Sequence, residues 1–456
     1  MVRPTISDFF YVFFEKNNEI RREMSMRPLC SRFFSLSHVC NAAKSGNAGG
    51  AKKVSKLKVP RKSQSSNPAS LAKQRKQGAR TANSAHSAGI SPKSRMALGE
   101  KMTEVALPEL TIGASTAEIL VGRVFRFPSS IHQKLETLQA NHSTQHFAFF
   151  KTPASLLRPV SIALGRALED DTMGSDKRRI ILTGPGGSGK TLALFQAQTW
   201  AFQKGWIVLT IADSTPLVNN STTYKWDERR AGYIQPTACS AFLRKNLEVN
   251  RQMLMEHQLS REWLFDRHVA PQSGNLAKLL EIGAVDEFVA HDVLDAFLQE
   301  LSASNRPAIL FSLDNLSAIS TLTQYRSADF KPIHAHDLIL ARTFLSYLSA
   351  EKSFARGAVI TATSSLAPRA QSLDMALGLE GLDPFITVNE RVQRSVVNAT
   401  VVNVEELTNI ELRSLLHYYK EAQVYQGEIT DNEVARIGAL GGANIGQVWR
   451  ASILAS

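Results

Sequence analysis

A chain of 456 residues, 43% hydrophobic and 21% charged, has the composition of a core-forming globular protein, and this excludes a wholly disordered one. Its net charge of +12 suggests a nucleic-acid partner until it is located: residues 24–99 carry fifteen Lys and Arg with no Asp or Glu, residues 1–23 cancel, and residues 100–456 sum to −3. Cys30, Cys40 and Cys239 form no C-x-x-C pair, which argues against a disulfide framework or zinc site and for a reducing compartment; no run reaches the roughly eighteen apolar residues of a membrane-spanning helix.

Residues 1–34 are predicted to be a mitochondrial targeting segment. From Met24 the sequence reads MSMRPLCSRFFSLSHVCNAAK, which is cationic, Ser-rich and acid-free with apolar residues between the arginines, as in a transit peptide. Arg32-Phe33-Phe34-Ser35 resembles a mitochondrial processing site, with arginine two residues before an aromatic. Asp8, Glu15, Glu19, Glu23 and the apolar run Phe9–Phe14 suit no transit peptide, so translation from Met24 or Met26 is expected. Residues 35–99 lack Phe, Tyr and Trp and cannot bury enough apolar surface to offset their ordering entropy, which predicts a disordered basic extension. Its clusters Lys52-Lys53, Arg61-Lys62 and Arg75-Lys76 would suit a phosphate backbone through counterion release, although a solvated linker explains them equally.

Residues 100–383 are predicted to form an α/β nucleotide-binding domain around a P-loop. Gly184-Pro185-Gly186-Gly187-Ser188-Gly189-Lys190-Thr191 fits G-x-x-x-x-G-K-[ST] at every fixed position, with Leu192 next in the first helical turn. The apolar run Ile180–Thr183 precedes it, as a buried parallel strand should. After it Ala193, Ala197, Trp200 and Ala201 share one helical face, and Gly205 is the stop. Glycines let successive N–H groups curl toward phosphate oxygens, and the helix N-terminus adds a favourable dipole. Lys190 is expected to reach the β- and γ-phosphates and the Thr191 hydroxyl to ligate Mg²⁺.

Ile207–Ile211 follows as a neighbouring strand, and about a hundred residues of largely helical pattern come next. In these, Leu276, Leu279, Leu280 and Gly283 share a face, as do Val289, Val293, Ala296 and Phe297, with Pro271 and Gly274 marking a loop. Ala308–Leu313 is a third strand, and Asp314 at its end is the Walker-B-like partner for the Mg²⁺ shell. Asn315 stands where hydrolytic ATPases of the AAA+ type carry a base, and a carboxamide is no base. His334, His336 and Asp337 lack a third well-placed metal ligand and read as the start of a helix Asp337–Ala350. Ala358–Thr363 is a fourth strand whose Thr363 or Ser364 could sense the γ-phosphate. Residues 384–456 are predicted to form a helical, lid-like subdomain: Thr408-x-x-Glu411 and Thr430-x-x-Glu433 are both capping boxes, and a last helix bears Trp449 and Arg450. Arg450 could reach back to the phosphates, or simply be a surface arginine.

With these motifs placed, the chain from about Leu98 onward resembles the death-associated protein 3 family, the GTP-binding protein of the mitochondrial small ribosomal subunit. The carriers are Lys151-Thr152-Pro153-Ala154, Ile181–Thr191, Ala212-Asp213, Leu217-Val218-Asn219-Asn220, Tyr233-Ile234-Gln235-Pro236 and His336-Asp337-Leu338. The long basic N-terminal extension is similar to that of a fungal member. The resemblance implies a structural role in the mitochondrial matrix, among small-subunit ribosomal proteins and rRNA and without membrane insertion. It also implies bound GTP or GDP in preference to ATP, with Mg²⁺ at Thr191 and Asp314 and little hydrolysis. The stretch around Phe150–Ala154, with Lys151, Thr152 and Pro153 in it, would flank the base. A mitochondrial AAA+-like ATPase in genome maintenance or nucleotide-regulated signalling is the competing expectation; it calls for a catalytic acid after Asp314, where Asn315 stands.

Overall fold

The computed structural model describes residues 103–140, 147–365, 370–379 and 387–454. The expected targeting segment and basic extension, Cys30, Cys40, and the expected domain boundary near Pro384 lie outside the described residues.

The centre is a five-stranded parallel sheet: β1 (Arg179–Thr183), β2 (Ile207–Ile211), β3 (Ile309–Asp314), β4 (Gly357–Ala362) and β5 (Thr400–Asn403), in the spatial order β5-β1-β4-β3-β2. The register sets Thr361 beside Ile181, Val359 beside Phe311, and Leu209 beside Phe311. β1 to β4 are buried along their whole length, so their sequences run apolar without alternation, yet period two still divides them. Ile181, Leu209, Phe311 and Val359 point to one face, while Ile180, Leu182, Val208, Leu310 and Ile360 point to the other.

Helices cover both faces. Against the Leu182 face pack α1 (Pro159–Ala167) and α2 (Lys190–Gln203). α2 is buried almost all round, with Phe195, Gln196, Gln198 and Thr199 enclosed as well as the predicted Ala193, Ala197, Trp200 and Ala201. The other face receives α3 (Pro236–Glu256), α4 (Leu276–Val285), α5 (Ala290–Leu301), α6 (Ile339–Leu348) and α7 (Glu390–Val396). A third cluster holds α8 (Asn409–Glu421), α9 (Asp431–Gly441) and α10 (Ile445–Leu454) against Val124, Phe149 and Leu156. No helix among the described residues is long and apolar enough to cross a membrane.

Four details depart from the sequence reading. β2 pairs with β3 and not with β1, because a doubly buried apolar run signals a strand without naming its partner, and β3 and β4 enter between them. β2 is therefore an edge, whose outward backbone groups α3 covers: Asn250 accepts from Val208 N–H at 2.9 Å and donates to Val208 O at 2.8 Å, and Asn246 accepts from Thr210 N–H at 2.9 Å. β5, drawn from the stretch expected to be helical, closes the opposite edge by pairing with β1. The second capping box is half formed: Thr430 accepts from Glu433 N–H at 3.2 Å, but the Glu433 carboxylate is taken by Tyr425 and Arg436. The first is complete, with Glu411 accepting from Thr408 N–H at 2.8 Å. Finally, a 3₁₀ turn (Ala335–Asp337) precedes α6, which runs shorter than the predicted Asp337–Ala350.

Candidate functional site

The glycine-rich loop joins β1 to α2 at the carboxyl ends of the parallel strands, where side chains from several strands converge. Its conformation requires glycine at two positions most clearly. Gly189 caps α2 at φ +102°, and a Cβ on Gly187 (φ +81°) would lie 2.6 Å from Asn444 Oδ1. The first-turn N–H groups of α2 have no partner within their own helix. Among the described residues the buried Ser188 Oγ and Thr183 Oγ1 have no hydrogen-bond partner either.

Lys190 is buried, and its ammonium donates to Gly184 O and Pro185 O, both at 2.8 Å. Burial pulls its pKa down to about 8, and the Asp314 charge works the other way. Thr191, 123 residues earlier in the chain, donates its hydroxyl to Asp314 Oδ2 at 2.7 Å. A hydroxyl and a carboxylate meeting beneath a helix N-terminus could supply two oxygens of the octahedral shell that Mg²⁺ prefers. The next residue, Asn315, sits at φ +69° and is committed to its surroundings: its N–H goes to Asp314 Oδ1 at 2.8 Å and its carboxamide to Thr215 Oγ1 at 3.0 Å, while its carbonyl accepts from Ser214. Asp213 lies alongside at the end of β2, holding Thr215 by N–H and hydroxyl.

These groups line one cleft of about 690 Å³. Gly186, Gly187, Gly189, Lys190, Thr191, Leu192, Asp314, Thr363, Ser364 and Arg450 all face it. Gly184, Pro185 and Ser188 act through backbone carbonyls, the first two on Lys190 and the third on Arg158. Thr363 is at the cleft, but its hydroxyl donates to Leu182 O at 3.2 Å. Arg450 is exposed at the rim.

Lys151, Thr152 and Pro153 do not line the cleft; their neighbours do. Phe147, Phe150, Ala154, Ser155 and Leu156 line it together with Leu415, Tyr418, Tyr419 and Trp449, and their rings form one aromatic wall. Phe150 stacks on Tyr418 with centroids 4.9 Å apart and lies 5.3 Å from Trp449, and Tyr418 donates to Thr152 O at 2.8 Å. Thr152 thus serves from beneath. Of this wall the sequence pointed only to the stretch from Phe150; its C-terminal side was missed because Leu415 and Tyr419 at helical spacing read as core, which they also are.

The histidines lie elsewhere. His334 and His336 are buried with ring centroids 4.7 Å apart, and burial pulls them down to about 4 and about 3, so both are neutral near pH 7. His334 Nδ1 accepts from the His336 backbone N–H at 3.1 Å, which makes them parts of a turn. Among the described residues no three His, Cys, Asp or Glu side chains are grouped to hold a metal by themselves.

The family model described as mitochondrial ribosomal death-associated protein 3 matches residues 155–451. The small ribosomal subunit protein mS29 of Neurospora crassa is 28% identical over 352 residues, covering 73% of this chain and 75% of that one. The protein of the same name in Schizosaccharomyces pombe is 28% identical over 314 residues, with 66% and 65% covered. That of Bos taurus is 23% identical over 256 residues, with 52% and 63% covered.

Proposed function

The chain belongs to the mitochondrial ribosomal death-associated protein 3 family, and from that premise we propose that it is a component of the mitochondrial small ribosomal subunit that holds a guanine nucleotide with Mg²⁺ in its cleft. It would work in the matrix, with ribosomal proteins and rRNA as neighbours. The observation that carries the nucleotide reading is the meeting of Thr191 and Asp314, 2.7 Å apart at the foot of a glycine loop that is followed by a buried lysine. Bound there, the metal would neutralise phosphate charge through Thr191 and Asp314. Lys190 would exchange its two carbonyl partners for phosphate oxygens, and the N–H groups of the loop and first turn of α2 would hold the rest.

The base would lie along the wall of Phe150, Tyr418 and Trp449, where an aromatic face stacks on a purine without distinguishing one purine from another. Burial pushes the Tyr418 phenol up, so its hydroxyl stays protonated and keeps its bond to Thr152. Retention rather than turnover is supported by Asn315, which offers no proton acceptor beside Asp314 and whose carboxamide is already engaged.

Sedimentation of mitochondrial lysate, with nucleotide extracted from the purified particle, tests this. Co-migration with the small subunit and recovery of GDP or GTP is the expected result. A free assembly turning over ATP at about one per second, an ordinary enzymatic rate, would overturn it in favour of the ATPase.

A further inference from the structure

We propose that Arg158 is a positioning residue that joins the phosphate-binding loop to the C-terminal helices, so that nucleotide in the loop orders α8–α10 and those helices in turn retain the nucleotide. This rests on the nucleotide reading above and concerns residues that the P-loop pattern does not include.

Arg158 caps the start of α1 and is 6% exposed. Its guanidinium reaches three separate segments. One terminal nitrogen donates to Ser188 O in the loop at 2.9 Å. The other donates to Glu405 O at 2.8 Å and Glu406 O at 3.0 Å, in the connection that follows β5. Nε donates to Glu411 Oε1 at 3.4 Å, and the second oxygen of that buried carboxylate caps α8 through Thr408 N–H at 2.8 Å. A planar fork of fixed donors can hold three partners at once, which a lysine ammonium on a flexible stem does not reproduce.

A second link lies along the same loop. Asn444, just before α10, donates its carboxamide to Gly186 O at 2.8 Å, and Gly446 N–H donates to Gly187 O at 3.0 Å. Three consecutive loop carbonyls, 186 to 188, are therefore held by Arg158 and by the start of α10. In a trans peptide the carbonyl and the following N–H point in opposite directions. Fixing these carbonyls thus aims the N–H of Gly187 and of Gly189 the other way, and the loop is organised for an anion before one arrives. By linkage, whatever steadies the loop steadies the helices, and the reverse.

Hydrogen exchange on the full chain, with and without GDP and Mg²⁺, tests the coupling in the wild type, Arg158→Lys and Asn444→Ala. In the wild type, GDP is expected to slow exchange across residues 409–454, well beyond the loop. Arg158→Lys should lose that slowing and release GDP about tenfold faster, within the usual range of coupling between sites. Asn444→Ala should lose it over α10 first. A purely structural arginine would raise exchange equally with and without GDP, and this result overturns the proposal. So does full GDP-dependent slowing in Arg158→Lys, or wild-type slowing confined to 184–192. A wild type that shows no GDP binding by titration removes the nucleotide reading itself, and this proposal with it.

Discussion

Raising the pH from 7 to 9 is expected to weaken nucleotide binding through Lys190. In the free site burial has pulled this lysine from 10.5 to about 8, so at pH 9 about nine-tenths of it is deprotonated. A phosphate placed against the amine restores the charge, so binding takes up a proton. The uptake should be close to zero at pH 7, about half a proton at pH 8 and about 0.9 at pH 9, and the affinity should fall about tenfold over the range, roughly 1.4 kcal/mol. Calorimetric titration of GDP with Mg²⁺ in two buffers of different ionisation enthalpy measures the uptake directly. Lys190→Ala should bind about 10–100-fold more weakly at pH 7, the loss of a charge-assisted bond, and without this pH slope. An affinity constant from pH 7 to 9 in the wild type, or the same slope in Lys190→Ala, would refute the reasoning. The free protein carries the matching signature. A lysine depressed in the fold binds fewer protons than in the unfolded chain between pH 8 and 10.5, so its effect on stability rises through that window by up to about 3 kcal/mol, read as the difference from Lys190→Met.

Three further outcomes follow from single contacts. Asp314→Asn removes the charge from the proposed metal shell, so GDP affinity should drop about 10–100-fold and become the same in Mg²⁺ and in EDTA, measured by titration. Gly357→Ala should destabilise the fold by about 3 kcal/mol or more in urea, because φ is +135° and the new Cβ would lie 2.0 Å from Ile309 O, forcing β4 from β3. Burial works to raise the Glu300 carboxyl, but bonds from Ser260, Trp263 and Arg306 outweigh it and hold the group below its ordinary value. Its contribution is therefore present above the ordinary carboxylate range and lost as pH falls through the folded value. Glu300→Ala should cost about 3–5 kcal/mol at pH 7 by stranding the buried Arg306, a loss that shrinks in acid-unfolding curves as pH is lowered.

The parts of this protein readable along the chain are those whose cause is local. Four buried strands are legible because a parallel strand covered on both faces must be apolar throughout. The loop is legible because glycine takes without strain the positive φ found at Gly184, Gly187 and Gly189, and because the lysine and hydroxyl that follow stand at the fixed spacing of the P-loop pattern. The complete cap at Thr408 is equally local. Which strand neighbours which came only from long-range packing. That packing seated Asp314 2.7 Å from Thr191 across 123 residues, and it drew β5 into the sheet from a stretch whose pattern spoke for helix. It also decided the cleft wall, since Tyr418 and Trp449 lie on helix faces that look like core from either side until Phe150 comes against them. Arg158 shows the division most clearly: no pattern marks a single arginine, and its role exists only where the loop, the β5 connection and α8 converge on one guanidinium. Pairing and convergence are set by contacts far apart in the chain, and short-range periodicity carries no record of them.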